Sequence, residues 1–551
     1  MKMNMIQLSH NGEPVRDRRS LAPAGLPVCA QPAMEAHIGN VNVVDESRPG
    51  KGNALNTGDL PGQEAPRGAP AEVRAAIVAM KSGNADGAKG GRETNASGQR
   101  NGEGKPSKVP ATDKQGGEDL WKFYGAERGI WSEKMLAALH AGVKGNKWFS
   151  LIDKVYADRT LERAWEKVQA NAGACGIDGI TVGHFAKDTQ TRLLAVKEHL
   201  KAGTYQSKPV KRVWIPKLGS AEKRPLGIPV VRDRVVQAAV KMVIEPIFER
   251  EFCAHSYGFR LGRSCRDALR RVAELLKSGY VHVVDIDIKG YFDAIPHGRL
   301  MAQVEEHVAD GRVLKLIEMF LKQGVLEEMN GWTVEEGTPQ GGVISPLLAN
   351  IYLNPLDGLM ERAGLEMVRY ADDMVILCRD RATAEGALNQ VRRWMEAAQL
   401  ELHPEKTKIV DLTQVGSYFD FLGYRFWRGK RGNLLRLIRP KSRMKLRERL
   451  KPFLRRANGH SLEAIIRKLN PSLRGFYGYF QHASALALDE VDRWVRGRLR
   501  SILRKRRKLN GRARGSDHLR WKNCYFAELG LFSLKQTQAK AIASLRNGVT
   551  W

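Results

Sequence analysis

The first 120 residues contain no phenylalanine, tryptophan or tyrosine; the first aromatic ring is that of Trp121. Stretches such as GAKGGRETNASGQRNGEGKPSK are made of small, polar and charged residues. A segment of that kind cannot bury enough apolar surface to offset the entropy of ordering its backbone. Residues 1–120 are therefore expected to form a low-complexity, largely disordered extension, with a short helix near 71–81 (AEVRAAIVAMK) as a local exception. Paired cysteines are missing too. The six, at 29, 175, 253, 265, 378 and 524, are scattered and form no C-x-x-C pair, which argues against a disulfide framework or a cysteine-rich zinc site. No run of about 18 apolar residues suits a membrane span, and no compact apolar leader opens the chain, so no membrane partner and a cytoplasmic location are expected.

What the chain has in excess is positive charge. Ninety Lys and Arg against sixty Asp and Glu leave a net +30, a field that a polyanion would neutralise with gain from counterion release. Charge alone does not separate nucleic acid from anionic lipid. At 551 residues the chain is also too long for one ordinary core, and two or more folded units are expected.

From Trp121 onward the texture is α+β. Over 149–170, Leu151, Val155, Leu161, Ala164 and Trp165 recur at helical spacing. The segment 210–216 (VKRVWIP) alternates as a strand, a turn follows, and extended structure resumes before a helix over 232–252. Two strongly apolar segments, VHVVDIDI at 281–288 and MVRYADDMVILC at 367–378, read as core strands with carboxylates embedded in them. Beyond Pro440 the pattern is helical and basic. There Val491, Trp494, Val495, Leu499, Ile502 and Leu503 mark one apolar stripe.

The embedded acids carry the chemistry. In MVRYADDMVIL two extended runs flank Ala371-Asp372-Asp373, so a hairpin would hold two adjacent carboxylates at its tip. Neighbouring carboxylates repel unless a cation or a proton lies between them; a plain acidic turn is the alternative, since Asp is common in turns. In VVDIDIKGYFDAI, period-2 alternation puts Asp285 and Asp287 on one face of a strand and Val284, Ile286 and Ile288 on the other. Asp285 and Asp293 suit structural roles as well. One acid from this strand and two from the hairpin make a donor set for two hard cations about 3.5–4 Å apart.

YADD and DIKGYFD together resemble the catalytic boxes of reverse transcriptases. KRPLGIPVVRDRVVQAAV, HSYGFRLGRSCRDAL, GTPQGGVISPLLANIYLN, LHPEKTKIV and FDFLGYRF follow in the order seen in group II intron reverse transcriptases, with GIDGIT upstream resembling their N-terminal extension motif. The resemblance spans most of residues 145–480. It implies a right-hand polymerase in which Asp287, Asp372 and Asp373 are catalytic. The metal ligands would be Asp287, Ile288, Asp372 and Asp373, holding two Mg²⁺ ions, with Mn²⁺ as a substitute. Phe292, five residues after Asp287, would be the steric gate that admits deoxynucleotides. Lys406 would protonate pyrophosphate. Arg224 and Lys217 would meet the incoming triphosphate, and Gln340 of TPQGG would lie beside nucleotide or template. Phe421, Leu422 and Gly423 resemble the primer-grip turn. The family usually has P-G-R-S where this chain has Leu261-Gly262-Arg263-Ser264.

The segment IIRKLNPSLRGFYGYFQHA resembles the maturase (X) domain of the same family, which acts as thumb and binds intron RNA. Residues 493–514 hold eleven Lys and Arg and no acid. Arg474, Arg504, Lys505, Arg506, Arg507 and Lys508 are accordingly expected to bind RNA. His518 and Cys524 do not supply the His and Cys pairs of a DNA endonuclease. The expected organisation is an N-terminal extension and fingers at 121–280 and a palm with an antiparallel sheet at 281–435. An all-helical thumb/X domain at 436–510 and a basic segment at 511–551 complete it. The expected function is RNA-directed DNA polymerisation from dNTPs, with intron RNA, an RNA template and a DNA target or primer as partners in a ribonucleoprotein. Rival readings are a non-catalytic RNA-binding splicing factor, a host-co-opted reverse transcriptase in phage defence and, against Phe292 and YADD, an RNA-dependent RNA polymerase.

Overall fold

The structure, a computed structural model, describes residues 116–216, 223–327, 330–332, 337–338, 341–511 and 513–546. All lie in the compact unit Glu64–Trp551. The expectations for residues 1–115, the short helix near 71–81 included, and for Lys217 and Gln340 lie outside the described residues. The described chain opens on a helix, Gly116–Tyr124, which takes in the last five residues of the stretch read as disordered. Leu120 and Trp121 are partly buried and Tyr124 is buried against the main core, so packing, absent from local composition, orders this end.

The apolar stripe read over 149–170 is buried as expected, but on two helices, Ile152–Val155 and Asp158–Asn171. Ala157 between them is extended, with φ −58° and ψ 137°. The amides of Leu151 and Ile152, at the start of the first helix, donate to Asp310 Oδ2 at 2.7 and 2.8 Å. Both helices pack on Val231–Glu249, a helix buried around most of its circumference.

Eleven strands are present among the described residues. They are β1 Val210–Pro216, β2 Lys223–Ile228, β3 His282–Asp287, β4 Val325–Glu327, β5 Asn330–Trp332, β6 Glu366–Tyr370, β7 Asp373–Cys378, β8 Lys408–Asp411, β9 Tyr418–Phe421, β10 Tyr424–Arg428 and β11 Leu434–Ile438. They form three sheets, ordered β2-β1-β4-β5, β6-β7-β3-β8 and β11-β10-β9. In the first, β1 pairs antiparallel with β2 and parallel with β4. The chain thus returns from the segment read as palm to complete the sheet of the fingers. The second sheet is antiparallel throughout, the arrangement expected of the palm.

This palm sheet is buried on both faces. Val284, Ile286, Met374 and Ile376 pack with the helices Ser345–Arg362 and Arg381–Ala397. Val283, Val368, Val375 and Leu377 pack on the helix Cys265–Lys277 and belong to a second core. That core continues through β9, β10 and β11 into the thumb, where it holds Leu446, Ile465, Leu469, Val495 and Leu499. The thumb is helical, as read from the sequence: Pro440–Leu450, Leu462–Phe480, Ala485–Arg506 and shorter helices up to Arg546. Buried Asp492 accepts from the amides of Leu534 and Lys535, fastening the helix Leu534–Arg546 to the long helix. No helix among the described residues is long and apolar enough to cross a membrane.

Candidate active site and nucleic-acid interface

Asp287 is the last residue of β3 and lies directly opposite Asp373, the first residue of β7. Directly opposed residues of antiparallel strands share a face with Cβ atoms about 4.5–5.5 Å apart, and like charges there destabilise the pair. Asp285 and Asp287 do share a face, as read, and it is the face of the second core and the thumb. Asp372 sits in the two-residue turn between β6 and β7, where Tyr370 pairs with Asp373. Its partner in the turn, Ala371, is left-handed at φ 57°. Tight hairpins require such backbone, and a residue with a Cβ holds it only when its surroundings enforce it.

The surroundings are unusual. Arg369 is fully buried beneath the turn and donates from Nη1 to the Ala371 carbonyl at 3.1 Å. Its Nε reaches Asp357 Oδ1 at 2.7 Å, its Nη2 pairs with Asp357 Oδ2, and Nη1 also reaches Asn350 Oδ1 at 2.9 Å. Asn350 in turn donates to the Gly258 carbonyl at 2.7 Å. Gly258 presses on the turn so closely that a Cβ there would stand 2.2 Å from the Ala371 nitrogen.

The electrostatics are those of crowded acids. Burial, then the neighbouring Asp372 and Asp285, push the Asp373 carboxyl up to about 7. Burial pushes Asp285 up to about 6, against its cross-strand partner Lys408. Asp372 is also raised, mainly by burial and by Asp287, with Arg224 and Arg369 opposing. The third sheet reaches in as well: the backbone of Leu422 opposes that rise at Asp373.

Lys406 Nζ lies 2.5 Å from Asp287 Oδ2. The loop carrying it is tied to the end of β3, because the His403 amide donates to the Asp287 carbonyl at 2.8 Å and the Lys289 amide to the Glu401 carbonyl at 2.9 Å. With more than half of the lysine exposed, the pair contributes little to stability. It does occupy one carboxylate with an ammonium. Among the described residues no three Asp, Glu, His or Cys side chains close into a ready cage. The donor chemistry nevertheless suits hard divalent ions: oxygen ligands only, mutually repelling and partly dehydrated. Ile288, buried one residue beyond β3, offers only its carbonyl.

Phe292 stands in a short 3₁₀ turn, Tyr291–Asp293, partly buried against the main core. The Thr338 amide donates to its carbonyl at 2.6 Å, and buried Tyr291 anchors the turn by donating to the Ala349 carbonyl at 2.5 Å. Arg224 is exposed on β2 and close enough to Asp372 to act on it.

In the thumb, Arg474, Lys505, Arg506, Arg507 and Lys508 are exposed, and Arg504 is not. Arg504 is buried, paired with Asp517 at 2.8 Å and donating to the Asn510 carbonyl at 2.6 Å. That burial sets Arg504 apart from the other residues expected to bind RNA. Position 504 lies one helical turn after Arg500, which is also buried and donates to the Trp521 carbonyl at 2.8 Å. The run of charges read as one surface is thus divided between two faces of the helix. A basic cleft beside it, lined by Lys451, Arg455, Arg456, Arg498 and Lys505 with Glu448, draws on residues from two helices and the loop that follows the first of them. It was not evident from any single stretch of sequence. Arg369 could have been suspected, since a charge inside an apolar strand needs a buried partner.

Residues 215–426 match the family described as reverse transcriptase (RNA-dependent DNA polymerase), and residues 443–521 match the group II intron, maturase-specific domain. Protein YkfC of Escherichia coli (strain K12) is 34% identical over 292 residues, 46% of this chain and 76% of its own length. The chain belongs to the group II intron-encoded reverse transcriptase/maturase family. The group II intron-encoded protein LtrA of Lactococcus lactis subsp. cremoris is 37% identical over 214 residues, 38% of this chain and 35% of LtrA, so the match spans about a third of that relative. Among solved structures, telomerase from Candida albicans aligns over 57% of this chain and 60% of its own, at 12% identity and a TM-score of 0.35. Membership gives the chain its functional class: reverse transcription combined with assistance to intron splicing, a family that works with RNA and divalent metal ions.

Proposed function

We propose that this chain is itself an RNA-directed DNA polymerase that extends a primer from dNTPs by a two-metal mechanism and binds group II intron RNA through its thumb. One observation carries this function: Asp287 and Asp373 face each other across β3 and β7 with Asp372 on the adjoining turn.

Asp287, Asp372, Asp373 and the Ile288 carbonyl would hold two Mg²⁺ ions, with Mn²⁺ able to replace them. Such ions, when bound, lower the barrier by activating the primer 3′-hydroxyl and neutralising the leaving pyrophosphate. The hydroxyl oxygen forms a bond to the α-phosphorus as the bond to pyrophosphate breaks. Lys406, already reaching Asp287, supplies a proton to the departing pyrophosphate. Arg224 and Lys217 bind the triphosphate, Gln340 lies beside nucleotide or template, and Phe292 fills the space of a ribose 2′-hydroxyl. Arg474, Lys505, Arg506, Arg507 and Lys508 bind RNA phosphates. Fingers at 121–280, palm at 281–435, thumb at 436–510 and a basic segment at 511–551 divide these tasks, in a cytoplasmic ribonucleoprotein that also engages a DNA target.

Primer extension by the purified full chain on an RNA template with Mg²⁺ tests this. Extension with dNTPs and not NTPs, lost in Asp372→Ala, is the expected result. A folded, RNA-binding protein that extends nothing overturns the enzyme and leaves a splicing factor.

A further inference from the structure

Phe292 stands in a turn whose main chain is fastened to Gly337 and Thr338. The Thr338 amide donates to the Phe292 carbonyl at 2.6 Å, and the Gly337 amide to the Ile295 carbonyl at 2.8 Å. Gly337 has left-handed backbone at φ 90° and lies so close that a Cβ would stand 2.8 Å from the Asp293 Cα and carbonyl oxygen. The Gly337 carbonyl, in turn, accepts from His297 Nε2 at 2.5 Å. A carbonyl oxygen only accepts, so the proton of the ring sits on Nε2.

The Gly337 carbonyl and the Thr338 amide are the two ends of one peptide group. His297, that peptide and the Phe292 carbonyl therefore form a relay of two hydrogen bonds through a single rigid plane. Bonds in series polarise one another, so a donor on the carbonyl strengthens the bond that the amide makes. His297 is buried, and its Nδ1 meets no partner among the described residues, so the ring's one bond is the one it gives to Gly337. From the other side the Phe292 ring meets the ring of Tyr291 edge-on, with centroids 5.6 Å apart, and the Tyr291 hydroxyl is tied to the Ala349 carbonyl. The Tyr291 contact steadies the ring; the relay steadies the peptide from which the ring projects.

We propose that His297 is a positioning residue for Phe292, and that it sets how strictly the chain excludes ribonucleotides. This rests on the polymerase function proposed above, with Phe292 as its gate. Such a gate works by overlap with one hydroxyl oxygen, so a small shift of the ring relaxes it. Without the imidazole donor the Gly337 carbonyl is buried and unsatisfied. Its peptide then turns toward another donor, and the Phe292 carbonyl loses its fixed partner.

Primer extension by the full-length chain, with dNTPs and NTPs compared, reads the effect as a ratio of two kcat/KM values. His297→Leu, which keeps bulk and loses the donor, is expected to lower the preference for dNTPs about fivefold, the factor typical of one net hydrogen bond. His297→Gln, whose side-chain amide can donate to the same carbonyl, should restore most of that preference. In a Phe292→Ala background, where the gate is gone, His297→Leu should change the ratio no further. Gly337→Ala, which pushes the segment off Asp293, should lower the ratio too and tests the same contact if leucine unfolds the chain. Amide exchange, read by mass spectrometry on peptides covering 291–295 and 337–338, should be faster in His297→Leu and normal in His297→Gln. A ratio unchanged in His297→Leu or Gly337→Ala overturns the proposal. So does a ratio lowered equally with and without Phe292, or a glutamine variant no better than leucine. An unaltered chain that extends no primer overturns the polymerase function instead. Exchange then decides the relay alone: faster rates in His297→Leu leave it standing, and unchanged rates remove it.

Discussion

The turn between β6 and β7 and the turn between β9 and β10 each reverse the chain in two residues. Each puts a non-glycine residue in left-handed backbone, Ala371 at φ 57° and Leu422 at φ 46°. Their means of support differ. The first turn is gripped from inside by Arg369, an ion fully enclosed with Asp357 and Asn350 in the body of the palm. The second is gripped from outside, by a tyrosine of another domain and by the strand end and helix that begin the thumb. A buried, fully hydrogen-bonded guanidinium has one arrangement, and breaking it costs several kcal/mol. A half-buried hydroxyl on a carbonyl is worth far less and adjusts. The acidic turn is therefore built to stay fixed, and the turn beside it to respond.

The largest expected effect comes from attacking the fixed support. Arg369→Met strands Asp357 without a partner and should destabilise the chain by about 3–5 kcal/mol, measured by urea unfolding. Adding Asp357→Leu should recover most of that loss; failure to recover would show that the guanidinium serves the Ala371 carbonyl more than the ion pair. Next in size, Asp372→Ala should cut primer extension about 100-fold or more while leaving RNA affinity alone. A parallel loss of RNA binding would mean the turn shapes more than the chemistry.

A smaller effect follows pH. Burial holds Asp373 up to about 7 and Asp285 up to about 6, above the roughly 3.9 of an exposed aspartate. The fold thus favours their protonated forms. That contribution is whole below about pH 4 and is lost as pH rises through 6 and 7. In chelator, the melting temperature should fall between pH 5 and 8, and Asp373→Asn should flatten the fall. Mg²⁺ should restore stability at pH 8 and do little at pH 5, where the carboxyls hold protons. The smallest effect extends the same contrast between inward and outward charge to the thumb. Lys508→Ala should lower the salt dependence of RNA binding by nearly one counterion. Arg504→Ala should instead lower thermal stability and leave that slope unchanged.

Much of the site was legible because its signals are local. Asp372 and Asp373 are adjacent, Asp287 precedes Phe292 by five residues, and strand alternation assigned Asp285 and Asp287 to one face. The apolar stripe of Leu151 to Trp165 identified the residues that are buried, though not the break at Ala157. What escaped depends on residues far apart in the chain. Lys406 reaches Asp287 across 119 positions, Tyr479 reaches Leu422 across 57, and Asn350 reaches Gly258 across 92. Periodicity has no access to such pairings. The burial of Arg504 escaped for the same reason: a charge run says nothing about where Asp517 will fold back to meet it.

Asp310 carries a consequence for how the protein is made. It receives the amide of Leu151 from 159 residues away, and beside it Trp148 is bridged to Val308, while the Val210 amide donates to the Gly324 carbonyl. On a ribosome adding roughly 5–20 residues per second, about 10–30 s pass between the emergence of that helix end and the arrival of its acceptor. During that interval the amino-terminal helices have no lid over Leu151 and Trp148. Early assembly of this chain is therefore timed by elongation, and a nascent chain paused before Asp310 is a client for chaperones.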